Sequence, residues 1–518
     1  KWNRSINYWK DRNISGPKAI PYFGNTLSRL LKPRPYVELE WYNTYGRLYG
    51  VHEMGRPVLI VADPVLIKQI LVKDFDKFPN NGIKSSDGFP KNLVTARDDH
   101  WKRFRLILSP AFTSGKLKRM YPLIDECCQE FMETLNRKLS ISGGQTVDVQ
   151  LKTLMSYYSL DVIASAAFAT KTHAYSHPNH PFVTNAQKFF AFNRFKALSA
   201  LILPAFVTHS RVWKAVVGDG GGQTPLLFFT QIVGRLVSER KKSGKIYNDL
   251  MQLLIDSERV DTNDQTVSAD KKASDSAESH RVMKGIGIEL AADRQVSSDG
   301  LLDKKLTEEE IISQCVGMLF VGVEKIASTL SLCTYELALN PHIQDRLVAE
   351  TKEAFNENTT DIDYETLRRL PLLDAVVSET LRKYPNVLRI RREASEDVVL
   401  STGRSDGSNV TIEKGMFVDI PVYAIHHDTD HYPDPFAFKP DRFLPENSHH
   451  MKPYTYLPFG AGPRHCLAMR LALFEVKLLI AQMIQQLRFY AVADTRIPPV
   501  FELPDPVIAW QCVWHYLK

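Results

Sequence analysis

The amino-acid sequence predicts a mainly α fold with a small β subdomain. Three observations carry that expectation. A capping box at Thr307 and Glu310 opens an apolar stretch that continues to Asn340, with Pro341 behind it. Helical patterns dominate residues 98 to 255. Strand-like runs are short, and they are confined to 51–64 and about 397–422.

In chain order, residues 1–25 are basic and aromatic, then Pro/Gly-rich. Lys1, Arg4, Lys10, Arg12 and Lys18 face the single acid Asp11 there. That composition fits a membrane-proximal segment on the cytoplasmic side of an absent anchor, and it equally fits a solvated terminus. Residues 37–45 look helical. VHEMGRPVLIVADP (51–64) reads as a hairpin whose apolar strand follows a Gly-Arg-Pro turn. The helices of 98–255 are broken by clusters such as ISGGQT and SHPNHP. ALSALILPAF (197–206) is too short to span a bilayer and suits either a core segment or a surface dipping into a membrane. GDGGGQTP (218–225) reads as a flexible connection. Residues 257–305 are polar, charged and almost free of aromatics, as expected of a disordered insertion loop.

The helix opened by Thr307 should be roughly 50 Å long. From Cys315 to Leu339 it is apolar nearly all round, apart from small polar residues, Glu336 and the adjacent pair Glu324 and Lys325. Such a helix crosses the middle of a large protein. Charges within it are costly unless they are paired, solvated or used.

The bulk composition narrows the function. With 518 residues, 44% hydrophobic, the chain can bury a large core, and length alone would suggest about three domains. A balance of 65 basic to 59 acidic residues is too mild to imply nucleic acid, and no basic run interleaves with aromatics. Cys127, Cys128, Cys315, Cys333, Cys466 and Cys512 show no CxxC spacing. They read as reduced core residues in a reducing compartment, not as a zinc site or disulfide framework. No stretch reaches the 18 to 20 or so consecutive apolar residues of a membrane span.

The strongest chemical signal is YLPFGAGPRHCLAMRLALFEVKLLIAQMI (456–484). A Gly-rich loop delivers Cys466 at the mouth of an amphipathic helix, where the dipole and free N–H groups should lower a thiol's pKa. Gly460 and Gly462 should let the backbone approach a flat ligand. Arg464 is a cation suited to a carboxylate on that ligand, and Phe459 could shield the sulfur. Alone, Cys466 would read as a structural cysteine before an ordinary helix.

Phe459, Gly462, Arg464 and Cys466 match the FxxGxRxC signature of cytochromes P450, which the chain resembles. Three more family motifs occur in order: Trp101 and Arg105 in WKRFR, Glu379 and Arg382 in SETLRKYP, and Pro440-Asp441-Arg442-Phe443. GPKAIPYFGN, LSPAFTSGKLKRM, DVIASAAF and LAMRLALFEVKL also look like microsomal members, most of all the vertebrate drug-metabolising clan that contains thromboxane synthase. The likeness covers nearly the whole chain except 257–305. It implies one domain over 26–518 with the P450 fold, its long central helix over the heme, against the length prior. It further implies heme b with Cys466 as axial thiolate. Trp101, Arg105, Arg464 and Arg392 would be propionate partners, with Arg389 and Arg391 as rivals for the register of Arg392. Ala468 stands where many relatives have Gly. His426, His427 and His431 in HHDTDH could suggest a metal site, but in the family this region is a surface connection.

The resemblance also implies a monooxygenase acting on a bulky apolar substrate such as a xenobiotic, steroid or fatty acid. Its electrons would come from NADPH through cytochrome P450 reductase, with cytochrome b5 as a further donor, at the cytoplasmic face of the endoplasmic reticulum membrane. Lys102, Lys116, Lys118 and Arg119 would face an acidic flavoprotein, or are simply solvated lysines. The expected substrate pocket includes Phe89, Phe192, Phe195 and Phe206.

One departure stands out. The central helix of family monooxygenases carries (A/G)Gx(E/D)T, and here the aligned residues are Val321, Gly322, Val323, Glu324 and Lys325. Lysine replaces the threonine that helps deliver protons. Lys325, a water, or Ser328 one turn on could supply the proton. Alternatively the chain resembles heme-thiolate isomerases and dehydratases of peroxides, which also lack this threonine. Lys325 could also be a sixth iron ligand in a heme-binding protein, or merely pair with Glu324 or a propionate.

Overall fold

The computed structural model describes residues 7–501 apart from 22, 84–90, 143–149, 173, 176, 191–222, 246, 248, 260–304, 356–361, 402–408, 494 and 500. Its centre is the helix Glu308–Leu339. Thr307 accepts the Glu310 N–H, and the Glu310 carboxylate accepts the Thr307 N–H, so the expected capping box is complete. Asn340 ends the helix, and Pro341 begins the next one, Pro341–Ala354.

This helix is long and apolar enough to cross a bilayer by length and mean composition, although Glu324 and Lys325 interrupt its apolar run. Its apolar residues are spent on a protein core instead. It packs against helices Leu151–Phe168, Gln223–Ser243, Pro371–Lys383 and Met469–Gln486, all within one contiguous apolar cluster. Gly322 leaves room for Ile163 of Leu151–Phe168, since a Cβ there would lie 2.4 Å from Ile163 Cδ1.

The other helices of the expected helical region are Asp98–Leu108, Ser114–Ile141, Pro181–Phe190 and Leu250–Arg259. The last runs to Arg259, past the expected start of the insertion at 257. Gln223–Ser243 likewise starts inside GDGGGQTP, so the end of that stretch is helical. The rest of the insertion, the run 197–206, and Phe89, Phe192, Phe195, Phe206 and Cys512 lie outside the described residues.

The β part is a four-stranded sheet and a separate hairpin. Strands β1 (Leu48–Glu53), β2 (Arg56–Val61), β3 (Ile390–Glu393) and β6 (Phe417–Ile420) pair in the order β1-β2-β6-β3, with β2 and β6 parallel. Strands β4 (Val398–Ser401) and β5 (Asn409–Ile412) form the hairpin. The first hairpin turns at Met54-Gly55, both with positive φ, and Arg56 and Pro57 are already in β2. Strand β3 was missed because Ile390–Glu393 holds three charged residues in four. Residues 7–25 dock on the sheet: Trp9 is buried and its indole N–H donates to the Val51 carbonyl at 2.9 Å.

Candidate functional site

The loop before Met469–Gln486 places Cys466. Gly460 and Gly462 both have positive φ, and the Cys466 N–H donates to the Phe459 carbonyl at 2.9 Å. Phe459 is partly buried beside the sulfur's loop. The tight approach that Gly462 allows is not to a flat ligand. A Cβ there would lie 1.8 Å from the Leu71 carbonyl oxygen, so this glycine seats the loop on residues Gln69–Lys73.

Cys466 stands two residues before the N-cap, Ala468. Burial pushes its thiol up, against the Ala468 N–H and the charges of Arg105 and Lys325. The expected lowering by the helix terminus is thus outweighed by desolvation. A bound metal cation reverses that balance, because a coordinating thiol is deprotonated outright.

Arginines gather around this loop. Trp101 and Arg105 are buried on Asp98–Leu108. The Arg464 guanidinium lies 4.7 Å from the Trp101 ring centroid and donates to the Ala96 carbonyl at 2.5 Å. Arg105 donates to the His465 carbonyl at 2.9 Å. Arg392 is buried on β3 and donates to the Arg391 carbonyl at 2.9 Å. Burial, with the neighbouring Arg392 and Arg97, draws Arg464 down to about 9, and burial alone draws Arg392 to about 10. Among the described residues, the buried Nε atoms of Arg392 and Arg464 have no hydrogen-bond partner, and neither side chain has an ion pair. Strand alternation separates Arg392 from its neighbours. Arg391 lies on the other face with Arg389, and both pair with Glu53 and Asp419.

Across from Cys466, the central helix opens. Met318, Val321 and Lys325 recur at helical spacing on one accessible face, and Val321 is 41% exposed. Phe320 stacks on Phe189 and meets Phe229 edge-on, giving this region an aromatic roof. Glu324 does not pair with Lys325. Its carboxylate takes Lys152 Nζ at 2.6 Å from the adjacent helix, a partner that no local pattern in the sequence signals. Among the described residues, the Lys325 ammonium has no ion pair or hydrogen bond. Burial pulls its pKa down, opposed first by Cys466 and then by Glu324. Ser328 is buried, and its hydroxyl has no partner among the described residues. Thr329 is committed to the Lys325 carbonyl and to Asn386 Nδ2, each at 2.8 Å.

Below the site, Glu379 and Arg382 form a fully buried bidentate pair at 2.7 and 2.9 Å, with Arg442 3.5 Å from Glu379. Arg382 also donates to the His426 and Pro435 carbonyls. The His426 ring lies 3.0 Å from the Arg382 carbonyl, and its other nitrogen accepts the Leu457 N–H at 2.9 Å. His426, His427 and Asp428 of the HHDTDH stretch are accordingly part of a buried brace, while Thr429 and Asp430 are exposed, as expected of a surface connection. No metal-binding cluster occurs among the described residues.

The family model described as Cytochrome P450 matches residues 14–511. The chain belongs to the cytochrome P450 family. It is 33% identical to cytochrome P450 3A29 of Sus scrofa over 95% of this chain and 89% of that protein. Cytochrome P450 3A11 of Mus musculus is 33% identical over 96% and 89%, and cytochrome P450 3A7 of Homo sapiens 32% over 96% and 89%. The chain is a heme-thiolate P450 monooxygenase, an oxidoreductase whose cofactor is heme b. The residues present fit that group: a thiol on one side, an apolar helix face opposite, and buried guanidiniums lacking the anions that two propionates would bring.

Proposed function

We propose that Cys466 supplies the axial thiolate of heme b, and that Arg105, Arg392 and Arg464 hold its propionates beside Trp101. The observation that carries this is the pair of buried guanidiniums, Arg392 and Arg464, left without carboxylates next to the Cys466 loop. When bound, heme b supplies the iron chemistry that inserts one oxygen atom of dioxygen into a substrate. Phe459 and Gly462 hold the loop that presents the sulfur. Met318, Val321 and the phenylalanines above them suit a bulky apolar substrate such as a xenobiotic, steroid or fatty acid. Proton supply falls to Lys325 Nζ or to water held between Lys325, Glu324 and Ser328.

Electrons come from NADPH through cytochrome P450 reductase. Lys118 and Arg119 are exposed near the start of Ser114–Ile141, and Ser114 of that helix receives Arg470 from the first turn of the thiol helix at 3.5 Å. Lys102 is loosely held by Asp76 and Asp99, each at 3.9 Å. With Lys116 these cations form a patch suited to an acidic partner, the reductase or cytochrome b5. The basic, aromatic segment 1–25 supports residence at the cytoplasmic face of the endoplasmic reticulum membrane.

A second reading rests on Lys325. Without a hydroxyl at that position, the site suits rearrangement of a peroxide, which needs neither dioxygen nor NADPH. Reconstitution with reductase separates the two. The monooxygenase reading expects NADPH consumption and oxygenated product that both require the reductase. Turnover of an endoperoxide without NADPH, and no product with it, would overturn that reading.

A further inference from the structure

We propose that His465 is a positioning residue: its ring and its carbonyl together clamp Arg105, and so fix the guanidinium that holds a heme propionate. The inference rests on the heme site proposed above. Arg105 reaches the thiol loop from Asp98–Leu108, 360 residues away in sequence, and there it meets one residue twice. Its Nη1 donates to the His465 carbonyl at 2.9 Å. Its Nη2 lies 3.1 Å from the His465 ring Nε2 and 3.3 Å from Nδ1. The loop decides which of these nitrogens is the acceptor. Nδ1 lies 2.9 Å from the Gly462 carbonyl, which also takes the His465 backbone N–H at 3.0 Å. A carbonyl only accepts, so Nδ1 carries the hydrogen. A guanidinium only donates, so Nε2 supplies the lone pair. His465 thus joins three parts of the site. Gly462, itself seated on Leu71, holds the ring; the ring and carbonyl hold Arg105; and the next residue in the chain is Cys466. A guanidinium gripped at both terminal nitrogens has little rotamer freedom left to lose when an anion arrives, so the anion is bound more tightly. A side chain without an acceptor at this position would leave Arg105 hinged on the carbonyl alone.

The test uses the purified holoprotein, with heme transfer to a scavenging apoglobin and the ferric–ferrous midpoint potential as readouts. His465→Leu removes both ring contacts, His465→Gln keeps an acceptor for Arg105, and His465→Asn keeps a donor for Gly462. Heme should leave His465→Leu and His465→Asn about tenfold faster than the wild type, the factor expected for one lost hydrogen bond to a charged group. His465→Gln should stay near the wild-type rate. The midpoint potential should fall in the same two variants, because a loosened Arg105 compensates the propionate charge less well. In an Arg105→Met background, adding His465→Leu should change neither readout further. A wild-type rate for His465→Leu, or an equal loss in the Arg105→Met background, would overturn the clamp. So would rescue by His465→Asn in place of His465→Gln, which assigns the effect to the loop. Absence of the thiolate-type carbon monoxide band from the reduced wild type would overturn the heme site itself, which keeps the two failures apart.

Discussion

Arg392→Met should stabilise the heme-free protein while weakening its hold on heme. Arg392 is only 4% exposed, and burial alone draws its guanidinium from an ordinary 12.5 to about 10. The group is charged in both folded and unfolded chains at pH 7. The lowering is therefore a folded-state penalty, present at every pH below about 10 and worth about 3 kcal/mol at 1.36 kcal/mol per pH unit. Methionine keeps much of the aliphatic stem but loses the 2.9 Å bond to the Arg391 carbonyl, which returns about 1 kcal/mol. The net gain is about 2 kcal/mol for the heme-free chain. With heme bound the sign reverses, because a charge-assisted contact of about 1.5–3 kcal/mol is lost. Urea unfolding of heme-free protein and heme transfer to a scavenging apoglobin measure the two effects. A raised midpoint with faster heme loss is expected. A lowered midpoint with unchanged heme transfer would refute the reasoning that Arg392 awaits an anion.

Arg382→Ala leaves buried Glu379 with the Lys439 N–H at 2.9 Å and the 3.5 Å contact to Arg442 as its remaining partners, and should cost about 3–5 kcal/mol, read as a drop in the urea midpoint of the holoprotein. Gly462→Ala puts a methyl 1.8 Å from the Leu71 carbonyl at a φ of +73, and a loss of about 2–4 kcal/mol with poorer heme incorporation is expected in the same assay. His427 is held at about 3 by burial and by Arg382, so the unfolded chain takes up a proton that the folded chain refuses. Stability should fall by about 1.4 kcal/mol per pH unit from this site as pH drops from about 6.5 towards 3, and His427→Phe should remove that share of the slope.

The sequence carried the central helix and the thiol loop because their signals are local. Thr307 and Glu310 cap within one turn, and Phe459 to Cys466 is a contiguous motif. The proximal arginines were legible only through the family pattern, and Arg392 was separated from Arg389 and Arg391 by strand alternation in β3, an element whose charges hid it. What the sequence did not contain is long-range partnership. Lys152 meets Glu324 only because two helices cross where Gly322 admits Ile163. Leu71 sets the need for Gly462, and Leu457 and Arg382 make a brace of His426. The thiol's pKa was misjudged for the same reason: the helix terminus is a local feature, whereas burial comes from the whole fold.

The central claim is that Cys466 is the thiolate on which the site is built. The measurement that tests it most directly is the carbon monoxide difference spectrum of the reduced protein, wild type against Cys466→Ala. The thiolate-type band should be present in the wild type and absent from the variant. Persistence of that band in Cys466→Ala would contradict the assignment.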